Sequence, residues 1–180
     1  IISNLIIGSN EFKEQDTIHA GPFSKTVRAL KRDSQTLYAM RSISLPSDIP
    51  FDNERFDTFI SICKHWAEIS HPCSMPLSFV SLPDKDQGIS PATYTTFTPN
   101  YSLYDIIEKQ ASEGAIEGMD ITQEKIILYG ISRYLSYIHR NNKAHGRLKA
   151  SNILLNSNLY PLVSDPYFYE INKNIPSSKV

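Results

Sequence analysis

His145-Gly146-Arg147-Leu148-Lys149-Ala150-Ser151-Asn152-Ile153-Leu154-Leu155 is the stretch that decides the reading of this chain. Its last three residues form an apolar run that predicts a short strand, answered by a second at Leu162 to Ser164. Upstream, Thr122 is a capping residue, and Ile127, Ile131, Tyr134, Leu135 and Ile138 fall on one helical face that Asn141-Asn142 ends. The stretch is therefore a polar loop between a long amphipathic helix and a short hairpin. It carries a histidine, an asparagine, a lysine and Arg147, whose guanidinium stays charged at any relevant pH and cannot accept a proton.

Working outward, Ser102 opens the preceding helix with Asp105 three residues on, a capping-box variant, and Leu103, Ile106 and Ile107 form its buried face. Phe12 to Ile18, Thr26 to Leu30, Thr36 to Ile43, Leu77 to Leu82 and Ala92 to Phe97 read as five strands, with Arg32 to Gln35 as a hairpin turn. One helix is inserted among them. Asp52 or Asn53 caps it, and Phe56, Phe59, Ile60, Cys63 and Ala67 make its apolar face. It stops near Ser70, because Pro72 disfavours helical geometry at His71. Five strands with one helix, then helices, then a hairpin predict an α+β protein.

The bulk numbers narrow the function classes. At 180 residues the chain fits one ordinary domain, and 41% hydrophobic with 21% charged residues is globular composition. A net charge of -1 gives no case for bulk binding to nucleic acid or anionic membrane. No run of eighteen apolar residues exists to span a bilayer. Two cysteines make neither a disulfide framework nor a zinc set, so a reduced, cytoplasmic protein is expected. The start lacks both the features of a signal peptide and a methionine, so a piece of a longer chain is expected.

The opening stretch resembles the catalytic loop of eukaryotic protein kinases, H-R-D-L-K-x-x-N followed by an apolar strand, at His145, Leu148, Lys149, Asn152 and Ile153 to Leu155. Other motifs follow in family order from Phe12 to Tyr169. Tyr38-Ala39-Met40-Arg41 is similar to the third-strand V-A-I-K. Counting back places His19, Gly21 and Ser24 at the three glycines of the phosphate loop. His71-Pro72 resembles the H-P after the inserted helix, which puts Ile62 at that helix's glutamate. Thr96 to Asn100 resembles the hinge, with Thr95 as gatekeeper. Asp165 follows Asn152 by thirteen residues, the spacing of the D-F-G aspartate. The resemblance implies a two-lobed fold: a five-stranded small lobe with one helix over 1–97, and a hinge and partial helical large lobe over 98–180. It also implies a nucleotide site using Gly21, Lys25, Arg41, Thr96 and Thr98, with Asn152 and Asp165 as magnesium ligands and ATP as cofactor.

The departures bear on chemistry. Arg147 stands where an aspartate accepts the substrate's proton, and Gly146 stands where the family has arginine. Arg41 replaces the phosphate-binding lysine, and Ile62 offers no carboxylate to fix it. Only Gly21 remains of three glycines, and Pro22 has no N–H to give a phosphate. Lys25-Thr26-Val27 is similar to the loop lysine of the with-no-lysine kinases. Lys149 matches the lysine of serine/threonine-type kinases. A pseudokinase is the expectation: a scaffold or allosteric partner of another kinase or a substrate protein, with weak ATP and magnesium binding and no nucleic-acid or membrane partner. A divergent active serine/threonine kinase and a truncated or degenerate remnant are the alternatives. The activation segment, A-P-E and central helix of the family do not follow, so the apolar faces of Ile127 to Ile138 and Ile153 to Leu155 are expected to lack part of their cover.

Overall fold

The structure, a computed structural model, describes residues 2–84, 86–164, 166 and 170–171. It is α+β, with five antiparallel strands and one helix followed by a helical part and a two-stranded hairpin. This is the architecture expected of a kinase small lobe plus part of a large lobe. The chain gathers into two compact units, one built from Ile1–Glu68, Pro76–Phe97 and Glu170–Val180, the other from Ile69–Met75 and Thr98–Tyr169.

In the first unit, β1 (Phe12–Ala20), β2 (Ser24–Lys31), β3 (Leu37–Ile43), β4 (Leu77–Ser81) and β5 (Ala92–Thr96) form one sheet in the order β1-β2-β3-β5-β4. Strand β1 is an edge. Its charged residues all face solvent and only Phe12 is buried, which fits an edge kept polar against unwanted pairing. Phe12 stacks on Tyr94 with ring centroids 4.1 Å apart, and Tyr38 and Phe79 meet it edge-on. Val27, Ala29 and Met40 complete that core face. Two short 3₁₀ turns, Ile2–Leu5 and Ser9–Glu11, precede the sheet. Ile2 is buried, and the Ile7 N–H donates to the Val80 carbonyl at 2.9 Å.

Helix α1 (Asn53–Ala67) is capped by Asp52, whose carboxylate accepts the Arg55 N–H. It buries Phe59, Ile62, Cys63 and Trp66. That is again an i, i+3, i+4, i+7 set, but turned from the expected stripe: Phe56, Ile60 and Ala67 are half-exposed. Ile62, at the family's glutamate position, is 1% exposed and is a core residue.

In the second unit, α2 (Leu103–Glu113) begins with the Ser102–Asp105 capping box formed in both directions. Helix α3 (Ile121–Arg140) is capped not by Thr122 but by Asp120, whose carboxylate accepts the Gln123 N–H at 2.8 Å. Two capping residue types two positions apart are not separable by sequence, and the acidic one also suits the positive end of the helix dipole. Ile127, Ile131, Tyr134 and Ile138 pack with Ile153 and Leu155 of β6 (Ile153–Leu155) and Val163 of β7 (Pro161–Val163). The expectation that these faces lack part of their cover is not met at these residues, all of which are buried. Ile106 and Met119 supply local cover, with Ile69 and Cys73 from the segment preceding β4. The open apolar residues of α3 are instead Ile121, Leu128 and Tyr129.

Gly130 marks the closest approach in this core. A Cβ there would sit 2.7 Å from Pro161 Cγ and 3.0 Å from Cys73 Sγ. Cys73 and Met75 continue the hairpin by backbone pairing: the Met75 N–H donates to the Val163 carbonyl, and the Val163 N–H to the Cys73 carbonyl.

Candidate functional site

The loop that opened the reading is a closed hydrogen-bond network within the second unit. The buried His145 ring accepts the Arg147 N–H at Nδ1 (3.2 Å), and its Nε2 lies 2.9 Å from the Ser164 carbonyl. A ring nitrogen that accepts carries no proton, so the pattern assigns the neutral tautomer with hydrogen on Nε2. Burial pushes the His145 pKa below its usual value, which favours the same neutral form, with the bond to Ser164 opposing it. Asn152, also buried, donates from Nδ2 to the Arg147 carbonyl at 2.8 Å, and its own carbonyl accepts the Ser164 N–H at 2.9 Å.

Both polar groups of the Arg147 main chain are thus held by side chains of its own loop. Gly146 lies at φ +73°, the left-handed region that favours glycine, so a glycine suits the backbone here. Arg147 itself is half-buried. No acidic residue among the described ones pairs with its guanidinium. Lys149 is exposed at the entry to the 3₁₀ turn Ala150–Asn152.

Asn152 can be tested against the magnesium role that the resemblance implies. Its amide nitrogen is engaged by the loop, which orients Oδ1 as a neutral oxygen donor, and hard cations take oxygen ligands. The residue fits. Its partner in that reading, Asp165, lies outside the described residues, as does Tyr167. No group of three or more His, Cys, Asp or Glu among the described residues could hold a metal ion.

The remaining positions belong to the first unit, Thr98 excepted. Gly21 opens a two-residue hairpin turn, Pro22-Phe23, and its N–H donates to the Ser24 carbonyl at 2.9 Å. Arg41 opposes Thr26 on β2 and Thr93 on β5, and its Nη2 donates to the buried Ser24 hydroxyl at 3.0 Å. Lys25 opposes Ser42. Neighbouring residues on a strand face opposite ways, so Lys25 and Arg41 leave opposite faces of the sheet. The structure therefore joins Arg41 to Ser24 and does not bring Lys25 to them. Thr96 ends β5, exposed, opposite Tyr38. Thr95, which the resemblance puts at the gatekeeper position, is buried opposite Ala39. Thr98 lies in the segment after β5, in the second unit.

Sequence reading did not foresee the role of Ser24 as partner of Arg41. The signal was available only once the hairpin register was known. The two cysteines are free, and burial pushes the Cys63 thiol up to about 12, which makes it an unreactive core group. No helix among the described residues is long and apolar enough to cross a membrane.

No protein-family model matches the chain. Known proteins similar to it are protein kinases. Interleukin-1 receptor-associated kinase 1 of Mus musculus and of Bos taurus are each 26% identical over 160 residues, covering 88% of this chain and 21% of the relative. An inactive leucine-rich repeat receptor-like serine/threonine-protein kinase of Arabidopsis thaliana is 28% identical over 166 residues, covering 91% of this chain and 24% of the relative. The chain spans about a fifth to a quarter of the length of these relatives.

Proposed function

We propose that this chain is a protein-kinase-like domain that binds without transferring phosphate, a pseudokinase that acts as a scaffold or allosteric partner for another protein. The observation that carries this reading is Arg147. It holds the position of the catalytic base with its peptide fixed on both sides by His145 and Asn152. A guanidinium cannot take the proton of an attacking hydroxyl, and loss of such a base typically costs about 10²–10⁴-fold in rate.

The first unit supports the same reading. A phosphate loop works through free backbone N–H groups. Here the Gly21 N–H is committed to Ser24, and Pro22 has none. Arg41 is engaged by Ser24, and Ile62 is core. Magnesium, when bound, would neutralise phosphate charge, and Asn152 is the described residue suited to hold it. Nucleotide binding in this reading is weak.

One observation favours the rival, a divergent active kinase: Asn152 and Lys149 keep the family's positions in an intact loop. Phosphate transfer from ATP to a generic protein substrate separates the two. Transfer at background, unchanged in Asp165→Ala, is the expected result. Robust transfer that disappears in Asp165→Ala would establish the rival.

A further inference from the structure

We propose that the loop Gly146–Asn152 recognises a phosphorylated serine or threonine on a partner protein, with the Arg147 guanidinium as the group that engages the phosphate and Lys149 as its neighbour. The inference rests on the non-transferring reading above and names the ligand of the same loop.

The first support is geometric. Arg147 has its N–H taken by His145 Nδ1 and its carbonyl by Asn152 Nδ2. The backbone from which the guanidinium projects is therefore ordered before any ligand arrives, so little ordering remains to be done on binding. The guanidinium has no acidic partner among the described residues. A planar fork of N–H donors suits two oxygens of a phosphate, and charge-assisted pairs of this kind are the strong ones.

The second support is the charge pattern. Between Glu124 and Asp165 the chain has no Asp or Glu, but it has Lys125, Arg133, Arg140, Lys143, Arg147 and Lys149. All 19 acidic residues lie outside that stretch, although the whole chain carries a net charge of only -1. The segment that holds the loop is basic by local concentration and not through bulk charge. A local basic segment with one arginine whose main chain is held in place fits a single phosphate on a peptide. A nucleic acid requires cations distributed along a backbone of many phosphates, and an anionic bilayer requires a broad basic surface.

The test is fluorescence anisotropy on the full chain with two degenerate peptide pools, one centred on phosphoserine and one on serine. A single-stranded 20-mer RNA and phosphatidylserine vesicles are run in parallel. The phosphorylated pool should bind about tenfold or more tightly than the serine pool, the discrimination expected of one charge-assisted pair. Inorganic phosphate should compete. Arg147→Gln should abolish the difference between pools while Arg140→Gln keeps it. Melting temperatures of both variants verify that they fold.

Equal binding of the two pools overturns the proposal, and so does discrimination that survives in Arg147→Gln. RNA or vesicles binding more tightly than the phosphorylated pool overturns it in favour of those partners. None of these results depends on the phosphotransfer assay. An inactive chain that ignores phosphoserine would sink this inference and leave the pseudokinase reading intact. Robust phosphotransfer would sink the pseudokinase reading.

Discussion

The two units treat their kinase-like positions differently. In the second unit, the residues kept from the motif are those that hold main chain: His145 and Asn152 still fix the peptide of residue 147, whatever side chain that residue carries. In the first unit, the positions that the resemblance puts at the phosphate site are engaged in structure. Ile62 is packed in the core, Arg41 is bonded to Ser24, and the Gly21 N–H closes a hairpin. The second unit holds the main chain of the loop from which Arg147 is presented. The other has converted presented groups into structure. The difference separates residues that build a kinase-like fold from residues that do kinase chemistry, and each class can be perturbed alone.

The largest expected effect comes from restoring the family's carboxylate. Ile62→Glu would place a charge where the side chain is 1% exposed. Burying an uncompensated carboxylate costs several kcal/mol, so a loss of about 3 kcal/mol or more is expected. Urea denaturation followed by circular dichroism measures it. If the variant keeps wild-type stability and gains nucleotide affinity, Arg41 has accepted the carboxylate as an ion-pair partner, and the contrast between the units fails.

How far the sequence disclosed these roles differs from residue to residue. Most strands and helices were legible because their apolar periods are local. The period did not include Ile62 or Trp66, because the buried face of α1 is turned from the predicted stripe. The face on which Lys25 emerges was not legible, because it depends on the two-residue turn Pro22-Phe23 that sets the register, and a shift of one residue reverses every side chain on the strand. The cover over Ile127 to Ile138 was also hidden. It comes partly from Ile69 and Cys73, which pack there from a distant stretch of sequence. The pattern Ile1 to Ile7 gave no period from which its 3₁₀ turns could be read. For the site, the loop and Asn152 were found from the motif, whereas the pairing of Arg41 with Ser24 needed the fold.

A smaller effect sharpens the claim about the loop. Asn152→Ala removes the donor to the Arg147 carbonyl from a buried position. Leaving a buried polar group unsatisfied costs about 1–3 kcal/mol. Arg147→Gln removes only a guanidinium with no acidic partner among the described residues, so a change within about 0.5 kcal/mol is expected. Melting temperatures of the two variants should separate clearly. If Arg147→Gln is as damaging as Asn152→Ala, the guanidinium is structural after all, and the side chain has joined the scaffold.

The smallest effect is pH dependence confined to the second unit. His71 and His145 share an arrangement: Nδ1 of each accepts a backbone N–H two residues downstream, from Cys73 and from Arg147, and each ring contacts Tyr134. Burial lowers both pKa values, with the charge of Arg133 adding to the effect at His71 and the bond to Ser164 opposing it at His145. Both folded values therefore lie below the ordinary 6.5. Where the folded rings stay neutral, the unfolded chain binds more protons, so stability falls as pH falls. The contribution is intact above 6.5 and is lost as pH drops from there toward the folded values. Protonation at Nδ1 would also break the bond each ring accepts. The urea midpoint should therefore drop between pH 7.5 and pH 5.5, conditions chosen to lie about one unit either side of the histidine value. The double variant His71→Gln/His145→Gln should show a smaller drop, even if it is less stable at both pH values, because carboxylates titrate alike in both proteins. An equal drop in the two proteins would mean that the rings take up protons in place, and that the loop holds Arg147 without needing a neutral His145.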